Sequence, residues 1–204
     1  SLRAGAAVAV DARAGPAGRG RGHHRRGRRA GTGGAGHVEQ EAAVGHAGRR
    51  SAHRDRDRAA GAGSAAIGLK STASGAQSLA VGSSSVAGGD QSVAMGSGSS
   101  TSGIAAFAMG TTASATGTNA VSMGSGTVAS GSQAFALGSS TTATGDNSFA
   151  LGDNTQSTGI NSIAAGQGSS TLGDNSFAVG VNAQTLAGAD YSASIGTATK
   201  AGGL

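Results

Sequence analysis

Asp146-Asn147-Ser148-Phe149-Ala150-Leu151-Gly152 is the stretch on which the reading of this chain turns. It returns as Asp174-Asn175-Ser176-Phe177-Ala178-Val179-Gly180, with looser copies on both sides. The closing glycine keeps one phase at Gly68, Gly82, Gly96, Gly110, Gly124, Gly138, Gly152, Gly166 and Gly180, every step being 14 residues. A tenth copy closes at Gly196 after a step of 16. Self-similarity at a fixed period sets the architecture, because each unit must bury its hydrophobic side against the next copy.

Two columns of this repeat are bulky. Three places before the closing glycine stand Ala65, Leu79, Val93, Phe107, Val121, Phe135, Phe149, Ile163, Phe177 and Ala193. One place before it stand Ile67, Val81, Met95, Met109, Met123, Leu137, Leu151, Ala165, Val179 and Ile195. All four phenylalanines of the chain fall in the first column and all three methionines in the second. The residue between them is always alanine or serine. Large-small-large alternation is the period of a β-strand with one bulky side.

A second glycine column lies seven residues after the first, at Gly75, Gly89, Gly103, Gly117, Gly131, Gly145, Gly159 and Gly173. Each repeat is therefore two seven-residue halves, which reads as a coil of two short strands and two tight corners. Glycine is expected to supply the corner conformations with positive φ. Stacked coils put each strand in parallel register with its copies, about 4.8 Å apart. The expectation is an all-β solenoid of about ten 14-residue coils over residues 61–204.

Small residues at Ala73, Ala87, Ala115, Ala129 and Ala143 share one column of the other half and suit a narrow interior. A continuous stripe of Phe, Leu, Val, Ile and Met is a poor face to leave in water. It fills either the lumen or a seam with another subunit. The thinness of a 14-residue coil favours a shared seam, with Phe107, Met109, Phe135, Leu137, Phe149, Leu151, Phe177 and Val179 at its centre.

The chain has 204 residues, 39 of them glycine, no cysteine and 2% aromatics. Without the register, this bias would read as a flexible linker. The absence of cysteine removes disulfide frameworks, Cys-based zinc sites and Cys nucleophiles. No apolar run reaches the length of about 18 residues that a membrane-spanning helix needs.

The charge is divided. Residues 1–60 hold 13 of the 15 basic residues, all arginine, against five acids, and all five histidines. Residues 61–204 hold Lys70 and Lys200 against Asp90, Asp146, Asp153, Asp174 and Asp190. Such asymmetry marks a domain boundary near Gly61. The leader has few large apolar groups and strong positive charge, so it reads as disordered.

A basic arm for nucleic acid or anionic lipid is the functional alternative for the leader, without the aromatic residues that such arms use for stacking. Residues 31–36 match a dinucleotide fingerprint in form, but arginines and not a hydrophobic strand precede them. His23, His24, His37, His46 and His53 have no regular metal-ligand spacing. The apolar run of residues 1–10 is short for a signal peptide. The leader also lacks Lys, Asn, Ile, Phe, Tyr and Met, as a frame-shifted reading of GC-rich repeats would. Translation of the upstream nucleotides in the other frames checks that.

Five places before the closing glycine stand Gln77, Gln91, Asn119, Gln133, Asn147, Asn161 and Asn175, and stacked amides can hydrogen-bond along a parallel ladder. Asp90, Asp146, Asp174 and Asp190 sit where a local Asx turn is expected at the corner. Calcium binding in the manner of glycine-rich RTX rolls lacks its nine-residue pattern. Hexapeptide-repeat acyltransferases share the solenoid plan but not the period. From residues 181 to 191 the phase breaks, and the only tyrosine, Tyr191, appears beside two added residues that bulge a loop. Asn147, Asn161, Asn175 and Tyr191 are the ligand-contacting candidates.

These columns resemble the YadA-like head repeats of trimeric autotransporter adhesins, whose unit reads Asn-Ser-Val-Ala-Ile-Gly. Asn175-Ser176-Phe177-Ala178-Val179-Gly180, Asn161-Ser162-Ile163-Ala164-Ala165-Gly166 and Gln91-Ser92-Val93-Ala94-Met95-Gly96 carry the resemblance, which runs from about Gly61 to the end. It implies a left-handed parallel β-roll, a homotrimer with the bulky columns as its seam, and display on the outer surface of a Gram-negative bacterium. The heptad stalk and anchor barrel of a full adhesin are missing, so the chain reads as a fragment, attached to a membrane only through that anchor.

The expected function is non-enzymatic attachment to host extracellular-matrix proteins or cell-surface glycans through a multivalent surface. No cofactor or metal is expected, and no nucleic acid for the repeat region. Isolated serines without a histidine give no activated nucleophile. The alternative is a structural spacer or surface-layer solenoid. An ice-binding solenoid is weaker, because no Thr-x-Thr column persists.

Overall fold

Seven-residue half-repeats leave room only for very short strands between corners, and that is what the chain builds. The computed structural model describes residues 57–202, in which 21 strands form two parallel sheets of eleven and ten strands. The strands alternate between the sheets along the chain, so every coil contributes one strand to each. No helix occurs among the described residues. The leader's first 56 residues, with the histidines, the glycine-rich stretch, the opening apolar run and the frame question, lie outside the described residues.

The ten-stranded sheet carries the bulky columns. Phe149, Ala150 and Leu151 pair with Phe135, Ala136 and Leu137 on one side and with Ile163, Ala164 and Ala165 on the other. In the eleven-stranded sheet, Thr142 and Ala143 pair with Val128 and Ala129 and with Gln156 and Ser157. That ladder begins at Arg58–Ala59, paired with Thr72–Ala73, so the coil stack reaches back into the end of the basic segment.

The lumen is lined by small side chains. Ala150 and Ala143, one from each sheet, are completely buried, as are Ala80, Ala94, Ala108 and Ala136. Among the described residues every buried apolar side chain is an alanine, and the largest fully buried side chains are threonines. No phenylalanine could enter such a space, and the bulky columns accordingly stand on the outer side of their sheet. Ser and Thr hydroxyls fill the remaining lumen positions and bond within it. Ser92 Oγ donates to the Gly89 carbonyl at 2.6 Å, and Thr141 Oγ1 to the Gly152 carbonyl of the next coil at 2.6 Å. A buried hydroxyl left without a partner is costly, and only those of Ser71 and Ser148 are so placed among the described residues.

The corners correct the expectation for glycine. Each corner carries a residue with φ near 50–75°, seven positions apart as far as Asn182, and most are not glycine: Gln77, Ser84, Gln91, Asn147, Asn154 and Asn161 all have φ between 53° and 58°. The amide column is therefore itself the turning residue, a position that Asn tolerates better than most side chains. The closing column does need positive φ, as at Gly152 with φ 139°. The second column does not. A Cβ on Gly145 would run into the backbone carbonyl of Gly159 in the next coil. That column is glycine because neighbouring corners approach too closely for any side chain.

The break near residue 188 is smaller than the sequence suggests. Gln184 and Thr185 still pair in phase with Ser170 and Thr171, and Ala193, Ser194 and Ile195 pair with Phe177, Ala178 and Val179. The register therefore runs on through 186, and Ala187 and Gly188 are the two extra residues. Gly188, with φ 75°, has open space where a Cβ would point.

Candidate binding surfaces

Three surfaces follow from this geometry: an apolar sheet face, a polar corner edge and the outer side of the eleven-stranded sheet. The last shows Thr72, Ser100, Ser114, Thr142, Gln156 and Ser170 in its outward column, interrupted by Val86 and Val128. No regular rank of one side chain persists there.

On the apolar face, Phe107, Phe135, Leu137 and Phe149 are half-buried by their neighbours along the ladder. Met109, Leu151, Phe177 and Val179 are exposed, at 38 to 39%. Ile195 at the far end is exposed at 66%. All eight residues expected at a seam thus lie on one side of one sheet, joined by Val81, Val93, Met95, Val121 and Met123 from the same columns. The two columns carry no polar residue in any of the ten strands. Phe135 and Phe149 stack with centroids 4.8 Å apart. An outward face of this kind needs a cover.

The corner edge is polar and repetitive. Asn147 Nδ2 donates to Asn161 Oδ1 at 3.2 Å, and Asn161 Nδ2 to Asn175 Oδ1 at 3.1 Å, so the expected amide ladder forms over these three coils. Tyr191 occupies the next place in the same column. It is 84% exposed and left-handed, with φ 56°. Its membership is readable by counting five places back from Gly196, but the 16-residue step hides it. A loop residue was expected, and the structure places Tyr191 at the column's left-handed corner position, one coil beyond Asn175.

The aspartates beside this column do not make local turns. Asp146 Oδ1 accepts the backbone N–H of Ser132 at 2.8 Å, a full coil back, and Asp174 Oδ1 that of Ile160 at 2.7 Å. Asp90 does the same for Ala76, and Asp190 for Asp174. They tie successive corners together, a role that spacing alone could not reveal because the partner lies 14 or 16 residues away. Asp57, which the sequence did not single out, accepts from the N–H groups of Gly68 and Ser71 at the start of the stack. In later coils the equivalent glycine N–H bonds the preceding coil, as Gly82 does to the Ile67 carbonyl.

The buried hydroxyls face a lumen closed to solvent, so they are not available as nucleophiles. No group of three His, Cys, Asp or Glu side chains among the described residues could hold a metal ion.

Comparison with known proteins follows the same columns. A family model described as the YadA head domain repeat (2 copies) matches residues 59–85, 73–99, 87–111, 102–127, 129–155 and 157–183. No match was found among curated proteins. Among solved structures the chain is similar to the crystal structure of the collagen-binding domain of the Yersinia adhesin YadA, at 24% identity and a TM-score of 0.45. That likeness covers 73% of this chain, which spans 66% of the length of the other.

Proposed function

Because the chain belongs to the YadA head domain repeat family, we propose that it is the head of a bacterial surface adhesin. It attaches a Gram-negative cell, from its outer surface, to host matrix proteins or cell-surface glycans. Three copies associate through the Phe/Val/Leu/Met columns of the ten-stranded sheet, and the polar edges and the second sheet face outward. Affinity comes from repetition along the coils and across the copies, and no catalytic step is involved.

The observation that carries this reading is the unbroken outward apolar face on a stack whose lumen is already full. A protein in water rarely leaves so long a stripe uncovered, and identical chains offer an identical stripe to bury against it. A surface that repeats with every coil suits ligands that are themselves repetitive, and fibrous matrix proteins are the first to try.

Light scattering of the purified chain tests the assembly, with a trimer expected; a stable monomer would sink the seam. Binding to immobilised matrix proteins and to host cells then tests attachment. Uniform absence of binding would leave a spacer.

A further inference from the structure

The corner edge that carries the amide ladder has a feature which the fold does not require. At this position the coil needs a left-handed residue, and Asn147, Asn161 and Asn175 supply one at φ 52° to 55°. Tyr191 takes the same place at φ 56°. That conformation is unfavourable for a bulky aromatic residue. The ring gains no burial in return, being 84% exposed. A strained and exposed aromatic at the end of a polar ladder points to a partner outside the chain.

The rest of the edge defines what that partner is. Asn147 spends one N–H, Asn175 one oxygen site and Asn161 one of each on the ladder, and all three keep further donor and acceptor capacity for solvent. Asp146, Asp174 and Asp190 each use Oδ1 on a backbone N–H, and their Oδ2 atoms have no partner among the described residues. Planar amides and carboxylates in a row are suited to pairs of adjacent hydroxyls, and a phenol ring is suited to the C–H face of a pyranose. Rungs recur at about 4.8 Å, so several sugar units can lie along the edge.

Two alternatives fit less well. An extended peptide would add to the backbone, but here the backbone is already bonded between coils: Asn161 N–H to Asp146, Asn175 N–H to Ile160 and Tyr191 N–H to Asp174. Anionic glycans and nucleic acid would meet three carboxylates and no cation, since no Lys or Arg stands in residues 145–148, 159–162, 173–176 or 189–192.

We infer that the edge running from Asn147 through Asn161 and Asn175 to Tyr191 is a binding site for a neutral, hydroxyl-rich glycan, with Tyr191 as its stacking platform. The inference rests on the adhesin reading and gives it a site and a ligand class.

The test is binding of the full chain to immobilised galactose-, N-acetylglucosamine- and mannose-terminated oligosaccharides, with heparin, a sialylated oligosaccharide and collagen alongside. Two variants keep the corner conformation: Tyr191→Asn extends the ladder, and the double variant Asn161→Gly, Asn175→Gly removes it. The wild type is expected to bind at least one neutral glycan, and each variant to bind it about tenfold or more weakly. Thermal unfolding and oligomeric state serve as controls for folding. Equal binding by the folded variants, preference for heparin or the sialylated probe, or no binding to any neutral glycan overturns the site. If collagen is bound while neutral glycans are not, the site falls and the adhesin reading stands. If neither is bound and host cells are not either, both fall.

Discussion

Phe135 and Phe149 lie one coil apart with their rings stacked, centroids 4.8 Å apart and planes 7° from parallel, on the outer side of their sheet. The stack contributes about 0.5–1.5 kcal/mol within one chain, far less than the cost of leaving the whole stripe in water. The columns on either side contain only apolar residues. Phe149→Asp therefore separates two roles. It should convert the proposed trimer to monomers in light scattering, while the circular dichroism of the coils is kept. Loss of the strand signal before dissociation would place Phe149 in the folding core, against the buried position of Ala150 behind it.

Two kinds of glycine give a second contrast. A Cβ on Gly145 would strike the Gly159 carbonyl of the next coil, and only backbone is there to move. Gly145→Ala should cost about 3 kcal/mol, the upper range for overpacking. Gly126 instead has φ 63°, and a Cβ added there would meet nothing nearer than Ser140 Oγ at 3.9 Å. Its column elsewhere holds Ser84, Asn154 and Asn182 in the same conformation. Gly126→Asn should change stability by less than about 0.5 kcal/mol. Chemical denaturation at fixed protein concentration measures both. Equal costs for the two substitutions would refute the distinction.

Much of this fold is legible because the period places rare residues in columns that leave no other phase. The phenylalanines and methionines mark the strand, and the alanines between them mark the lumen. What escapes are effects that act between coils. Whether Gly145 is needed for its φ or for the approach of Gly159 depends on a distance across the stack. Asp146 has the sequence context of a local turn, and its partner Ser132 is near only after coiling. Tyr191 reads as a loop residue because Ala187 and Gly188 shift the count, yet its φ of 56° returns it to the amide column. The residues of the outward apolar face can be chosen from the sequence, but what covers that face lies outside a single chain.

Ala105 sits in the amide column with φ 52°, between Gln91 and Asn119. An L-residue without a short polar side chain is disfavoured there by roughly 1–2 kcal/mol. Ala105→Asn gives the corner a residue that tolerates the conformation and joins the ladder to Asn119. Ala105 is exposed, so nothing must be displaced. The variant should gain about 0.5–1 kcal/mol, read as a higher denaturation midpoint with an unchanged slope. A loss of stability would mean that the left-handed corner is not the limiting strain at this rung.

Asp146 offers the most local test, because its carboxylate reaches a single amide. Asp146→Ala removes the acceptor of the Ser132 N–H, and Asp146→Asn keeps an oxygen in its place. The corner is solvent-exposed, so water replaces much of the lost bond and the cost should be about 0.5–1.5 kcal/mol. Amide hydrogen exchange is the sharper measurement. Ser132 should exchange faster in the alanine variant and near the wild-type rate in the asparagine variant. The Asn147 amide, which donates to the Ser132 carbonyl at 2.8 Å, should stay protected in both. Thr118 is the internal reference, since the residue one coil on is Ser132 and brings no carboxylate. Unchanged protection at Ser132 in the alanine variant would remove Asp146 from the ties between coils.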